Sequence, residues 1–406
     1  MIRRLSFASC ALAALCAAGP ARAEPQPISY EAAIARARSV APVLAAARAR
    51  EAVASAEIGI AGLAANPTVL LGTSTQAAKF SATASVPLLI LGQRGASARA
   101  AEADAATVHV ETELAWNDVR SSTARAFVGL WLAESLAVTR TDAAKLVARL
   151  EETVTIRIEV GARGAAPKVE GLRVHAERLR ADADAQDAVR RVAGSASELG
   201  RWIGVPDGGE LRAAAEPQVP AEAPPLASLM ARIDGAPAIR RENADARAAE
   251  ARVSRERALV RPAMTLDLGV DAYDPTLPTT NYRAQLGVEV PLFHQRGYFI
   301  ERELSAANAA RARSAAERAR TISDLVVAYR NFEATTERAR ILGDGVVPAA
   351  EAAAVGAEES YSLGYAPLVT VLDAERARID ARTALLEARA TRVLAWIDVE
   401  RALGVP

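Results

Sequence analysis

The sequence is poor in the residues that most often carry chemistry. It has two cysteines, Cys10 and Cys16, and three histidines, His109, His175 and His294, which lie far apart and share no ligand spacing. That argues against a zinc-type centre and against a disulfide framework. There is no phosphate loop, no nucleophile elbow and no paired carboxylate in a pocket-like setting, so nothing in the chain points to an enzyme or to a bound cofactor. Aromatics make up only 4% of the residues, too few for a thick globular core. Alanine, arginine and glutamate dominate instead, a composition suited to long helices packed through small side chains. Beyond the amino terminus no stretch approaches the roughly 18 consecutive apolar residues of a membrane-spanning helix, so any crossing of a bilayer falls to β-strands. Basic and acidic residues balance at 49 each, which gives no support for a nucleic-acid partner.

The first residues have the pattern of a secretory signal. Arg3 and Arg4 precede an apolar run from Leu5 to Ala18, and Ala21-Arg22-Ala23 supplies small residues for cleavage. A signal peptide over 1–23 is expected, leaving Glu24 as the mature terminus and no cysteine in the mature chain. Lipidation at Cys16 is the other possibility, and Leu15, where a small residue is expected, disfavours it. Losing Arg3, Arg4 and Arg22 leaves 46 basic against 49 acidic residues, a net charge of −3.

The chain repeats itself at a shift of 200 residues. Gly164 to Pro206 aligns without a gap on Gly364 to Pro406, with 12 of 43 positions identical, including Gly164/Gly364, Pro167/Pro367, Gly204/Gly404 and Pro206/Pro406. Upstream, Val86-Pro87-Leu88 with Gln93-Arg94-Gly95 parallels Val290-Pro291-Leu292 with Gln295-Arg296-Gly297. Two internal repeats are therefore expected, 24–206 and 226–406, joined by a Pro- and Ala-rich linker over 207–225. In the first repeat a helix over about Ser29 to Ala64, interrupted near Pro42, leads to a strand pair over 66–88. A long helix over 93–160, a break over 161–172 and a helix to 203 follow. In the second, a helix over about Leu226 to Val260 leads to a strand pair over 262–292, a long helix over 297–363, a break over 361–372 and a helix to 404.

The strands give the sharpest pattern. Met264, Leu266, Leu268, Val270 and Ala272 alternate with Thr265, Asp267, Gly269 and Asp271; on the return, Tyr282, Ala284, Leu286, Val288 and Val290 alternate with Arg283, Gln285, Gly287 and Glu289. Phe80, Ala82, Ala84 and Val86 alternate likewise, after a less regular strand from Thr68 to Thr75. Two readings fit. The sheet could pack its apolar face on helices; or, since four strands cannot close a barrel, three chains could pool twelve, with lipid on the apolar side and Asp267, Asp271, Arg283, Gln285 and Glu289 lining a wet lumen. The length of the proline-free stretch from Gln93 to Glu159 favours the second, because no compact domain of this size needs such a helix. Gly343, Gly345 and Pro348 should kink or briefly interrupt the equivalent helix of the second half. Leu372, Ile379, Leu386 and Val393, spaced by seven, form a coiled-coil seam, and Ile322, Leu325, Tyr329 and Phe332 alternate three and four.

These residues resemble the TolC-like outer-membrane efflux family, and more closely its metal and drug efflux branch. The most specific matches are Val86-Pro87-Leu88, Val290-Pro291-Leu292-Phe293, the segment from Tyr361 to Ala374 and the final Ala402-Leu403-Gly404. The resemblance implies a mainly α fold with a membrane β-barrel part: a homotrimer whose 12-stranded barrel, four strands per chain, continues into a 12-helix periplasmic α-barrel. It implies an outer-membrane location with a large periplasmic part. The implied partners are outer-membrane lipid, a periplasmic adaptor and an inner-membrane, proton-driven pump. By resemblance, Gly161, Gly164, Pro167, Leu172, Tyr361, Gly364, Pro367, Leu368 and Leu372 fall on the helix-turn-helix tips that dock the adaptor. Glu170 and Asp373 fall near the constriction, where Thr370 and Arg173 depart from the family's acidic pattern. The function implied is passive export of small toxic solutes, metal ions or drugs. The alternatives are a duct for type I protein secretion and a periplasmic coiled-coil adaptor; an adaptor would show one helical hairpin between lipoyl-like strands rather than two after paired strands.

Overall fold

The computed structural model describes residues 26–73, 79–160, 165–205, 211–272, 280–293 and 295–404. The expected signal sequence and His294 lie outside them. Two compact units are formed. One draws on the chain up to Ala37, on Thr123–Gln218 and on Ile341–Ala390; the other draws on Arg38–Ser122, Val219–Arg340 and Thr391–Pro406.

The chain begins with β1 (Gln26–Ile28) and α1 (Tyr30–Val40), where the Ser29 hydroxyl caps the first turn by accepting from the Ala32 amide at 3.1 Å. Pro42 has no amide hydrogen to continue α1 and instead opens α2 (Pro42–Ala61). Next come β2 (Thr68–Gly72), β3 (Phe80–Leu88), α3 (Gln93–Val160) and α4 (Ala165–Ile203). α3 holds 68 residues with no proline and only Gly95 and Gly129 inside, so its ladder runs about 100 Å unbroken. After β4 (Leu211–Ala213) and α5 (Leu226–Met230) the order is α6 (Pro237–Ala258), β5 (Ala263–Ala272), β6 (Asn281–Glu289), α7 (Gly297–Ile341), α8 (Val347–Ser362) and α9 (Leu368–Leu403).

Two places depart from the sequence reading, and one expected interruption takes a specific form. β4 lies in the expected linker and pairs in parallel with β1, Gln26 opposite Leu211 and Ile28 opposite Ala213; three-residue strands are too short to show a period. Its end is fixed by Glu134, whose carboxylate accepts from the Ala213 amide at 3.1 Å. The helix expected over Leu226 to Val260 is split into α5, a 3₁₀ turn at Ile233–Gly235 and α6, because Pro237 cannot donate to a preceding turn and starts α6 instead. Gly343 and Gly345 interrupt the α-helix briefly, as expected. They sit in a π turn, Leu342–Val346, closed by the Val347 amide reaching the Leu342 carbonyl, and Pro348 falls in the first turn of α8, where no donor is needed.

In the unit that carries the four longer strands, Leu229, Ile233 and Ile239 pack with Leu325, Tyr329, Val399 and Leu403. Phe332 stacks at a tilt on Trp396, centroids 5.0 Å apart. Here α9 ends on Gly404 at φ +65°, against the ring of Pro237. A methyl group at 404 would overlap that ring in a backbone conformation that already disfavours it. Gly404→Ala is therefore expected to cost about 2–4 kcal/mol, read as a lower midpoint in thermal unfolding followed by helical circular dichroism.

Candidate functional site: a two-faced sheet and a helix-turn-helix tip

The four longer strands form one antiparallel sheet in the order β2-β3-β5-β6. Its register sorts the side chains completely on the second strand pair: Leu266 faces Leu286, Leu268 faces Ala284 and Val270 faces Tyr282, while Asp267 faces Gln285, Gly269 faces Arg283 and Asp271 faces Asn281. β3 continues the division, with Ala82, Ala84 and Val86 opposite Val270, Leu268 and Leu266, and Ser81, Thr83 and Ser85 opposite Asp271, Gly269 and Asp267. In β2 the division is incomplete, because Leu70 pairs with Thr83 on the polar side. The apolar face is open: Leu268 is 49% exposed and Tyr282 81%, and Val69, Leu71, Leu286 and Val288 are exposed beside them.

Asp267, Asp271, Arg283, Gln285 and Glu289 thus share the other face. Arg283 lies over Gly269, where a Cβ would meet its guanidinium at 3.1 Å, and spans the strands to Asp271 at 3.4 Å and the Thr83 hydroxyl at 3.3 Å. Gly269 is what lets that long cation lie flat on the face. The two outer strands, β2 and β6, have no second pairing partner among the described residues.

In the other unit, α8 and α9 meet in a tight turn. Gly364, at φ +80°, follows α8; its amide donates to the Tyr361 carbonyl at 3.0 Å, and the Tyr365 amide reaches back to Ser360 at 2.9 Å. This is the glycine-dependent Schellman stop, and nothing lies within 4 Å of a Cβ built on Gly364, so the requirement is conformational and not steric. Arg157 reinforces the stop by donating to the carbonyls of Tyr361 and Ser362 at 3.3 and 3.2 Å, its guanidinium 4.4 Å above the Tyr361 ring. Pro367 directly precedes α9. Tyr361, Leu368, Val371 and Leu372 then pack with Val147, Leu150 and Val154 of α3 and Val174 of α4, leaving Leu363 and Tyr365 outside.

The first-half counterparts are placed differently. Gly161 and Gly164 lie outside the described residues, as does the side chain of Pro167, whose backbone is in the first turn of α4. Leu172 is 72% exposed where Leu372 is 4%, so the two repeat positions do not do the same thing. Glu170 is half-buried. Asp373 is exposed and pairs at 3.3 Å with Arg376, which also holds Glu177 of α4.

Sequence reasoning missed Glu375. It falls on the buried stripe of α9, three residues after Leu372 and four before Ile379, a spacing that could have revealed it. Burial raises the pKa of its carboxyl above the usual range and Glu358 adds to this, against the opposing pull of Arg378, 2.7 Å away, and of Arg382. A carboxyl with a higher pKa folded than unfolded contributes stability at low pH that is lost as pH rises through the folded value. Glu375→Gln is accordingly expected to be at least as stable as the parent at neutral pH and to flatten the pH dependence of thermal unfolding on the weakly acidic side. A large loss at neutral pH would show the pair with Arg378 to outweigh burial.

Among the described residues no helix is long and apolar enough to cross a membrane, and no cluster of metal-ligating residues is present. Residues 232–405 match the model of the outer membrane efflux protein family. No curated protein matches the chain. Solved structures match over nearly its whole length. CusC superposes with a TM-score of 0.75 at 15% identity, covering 92% of this chain and 91% of CusC. The Campylobacter jejuni CmeC outer membrane channel gives 0.76 at 13%, covering 92% and 85%. The Vibrio cholerae outer membrane protein VceC gives 0.73 at 18%, covering 92% and 96%. Residues 232–405 therefore resemble the outer membrane efflux protein family, and the described chain shares the fold of solved outer-membrane channels.

Proposed function

We propose that this chain is the outer-membrane exit duct of a tripartite efflux system, passively conducting metal ions or drugs from an inner-membrane pump and its adaptor to the outside. The observation that carries the reading is the sheet: among the described residues one face is apolar and uncovered, the other is polar but for Leu70, and both edges are unpaired. An open edge of that length invites another strand, and a contiguous exposed apolar face needs a dry environment. Pairing β6 of one copy with β2 of the next in a homotrimer answers both demands, placing twelve strands around a lumen lined by Asp267, Asp271, Arg283, Gln285 and Glu289. CusC forms a transmembrane channel and CmeC is an outer membrane channel, which agrees with this assembly.

The helical part then forms the periplasmic 12-helix conduit, and the two sequence halves, 24–206 and 226–406, act as repeats around it. The exposed surface of the tip turn at Leu363 and Tyr365 docks the adaptor, Glu170 and Asp373 bias the mouth toward cations, and a proton-driven pump supplies the energy. The test is cell fractionation together with a deletion strain. The mature protein should be recovered in outer membranes as a heat-modifiable trimer, and the deletion strain should become sensitive to a set of metals, dyes or detergents. Recovery as a soluble periplasmic protein would overturn the duct; membrane recovery with no change in sensitivity would redirect it to protein secretion.

A further inference from the structure

Both long helices that follow the sheet, α3 and α7, begin at a residue with left-handed backbone. Four residues past Leu88, Gly92 stands at φ +91°; four residues past Leu292, at the matching place in the second repeat, Arg296 stands at φ +54°. Their carbonyls accept the first bond of the helix that follows, from the Ala96 amide to Gly92 and from the Ile300 amide to Arg296, each at 3.0 Å. Glycine adopts this conformation freely, whereas an L-residue resists it by a factor of about ten. Arg296 is the one non-glycine residue at positive φ among the described residues, so something must hold it there.

The holder is Glu256, near the end of α6, a carboxylate only 2% exposed. Arg296 aims Nε and Nη2 at one of its oxygens, at 2.9 and 2.5 Å, and Arg255 aims the same two atoms at the other, at 3.2 and 3.0 Å. Burial pushes this carboxyl up, but the hydrogen bonds from Arg296 and Arg255 outweigh it and hold the group below its usual range. The Arg296 guanidinium also lies 4.7 Å from the centroid of the Phe299 ring, which fixes its other side. A charge-assisted pair with two donors sets the direction of the arginine, and a carboxylate this buried strongly resists losing such a partner. The same corner between α6 and β5 holds the first junction. There Arg261 donates to the Leu91 carbonyl beside Gly92, and Gln93 donates to the Pro262 carbonyl at 3.1 Å.

We propose that Glu256 is a positioning residue for the edge strand: by holding Arg296 left-handed it sets the direction in which β6 runs into α7, and so presents β6 to β2 of the next copy. Gly92 can make its turn without such a hold. Arginine at 296 makes the second turn conditional on one buried carboxylate, which ties the edge of the sheet to α6. This rests on the reading of the sheet as part of a barrel closed by three copies, and it adds what aims the closing edge.

The test compares, in the full chain, Glu256→Gln alone with Glu256→Gln combined with Arg296→Gly or with Arg296→Ala. Two quantities are read: hydrogen exchange in the first turn of α7, at the Ile300 amide, and the yield of heat-modifiable trimer in outer membranes. Glu256→Gln should speed that exchange about tenfold and lower the trimer yield severalfold. Adding Arg296→Gly should bring both back to within about twofold of the parent, because glycine keeps the left-handed turn unaided, while adding Arg296→Ala should restore neither. Equal behaviour of the glycine and alanine variants would overturn the proposal, since a lost charge pair alone would affect both alike. Parent-like exchange in Glu256→Gln would overturn it too, and exchange restored without trimer would strip Glu256 of any role at the edge strand. A parent chain that forms no trimer would sink the barrel reading instead, and the exchange at Ile300 would still decide whether Glu256 holds the turn.

Discussion

Leu268→Arg is expected to abolish assembly in the outer membrane, while Gln285→Arg, one register row away on the neighbouring strand, is expected to leave the trimer intact. Leu268 stands at the middle of β5, facing Ala84 on one side and Ala284 on the other. Neither alanine can hide a guanidinium, and the acids of the sheet, Asp267, Asp271 and Glu289, are all on the opposite face. A cation at a lipid-facing midplane costs about 2–4 kcal/mol per chain, and a three-fold barrel would incur it three times. Gln285 faces Asp267, on the side that already accommodates Arg283 across Gly269. A new arginine there gains a carboxylate partner and meets water. The measurement is the yield of heat-modifiable trimer in outer-membrane fractions for each variant. Equal yields would mean that the two faces see the same environment, and the lipid-facing reading would fail.

What was legible in the sequence, and what was not, follows from the length over which each physical signal accumulates. Period-two alternation over about ten residues assigns every side chain of β5 and β6 to a face, because a slip of one residue would put Asp267 and Asp271 among the leucines. β2 carries the weakest alternation, and its Leu70 is indeed the residue on the wrong side. The absence of proline from 93 to 160 announces α3 for the same cumulative reason. Three-residue strands such as β1 and β4 carry no period, so their pairing across the chain could not be read. The unequal fates of Leu172 and Leu372 were hidden too: identical residues at repeat positions are buried only where α3 supplies Val147, Leu150 and Val154 to receive them. Glu375 escaped because a carboxylate on an apolar stripe is read as a solvated charge unless the heptad is followed through it.

Gly364→Val is expected to leave the trimer assembled and to weaken adaptor binding by about tenfold, the equivalent of the 1–2 kcal/mol that a left-handed backbone costs an L-residue. No atom stands where the valine Cβ would go, so the strain is purely in φ and the chain can relieve it only by opening the turn. Opening gives up the Tyr365–Ser360 and Gly364–Tyr361 hydrogen bonds and moves Leu363 and Tyr365, the apolar groups the tip presents. The core of that unit is affected less, since Leu368 and Leu372 are held by α3 and α4 from the far side of the turn. Gly364→Asn serves as the control, because asparagine tolerates positive φ and should retain most of the binding. Trimer yield and co-purification of the cognate adaptor, measured on both variants, separate the possible roles. A valine variant that cannot trimerise would make the turn an assembly element, and one that binds adaptor as well as the parent would remove docking from this surface.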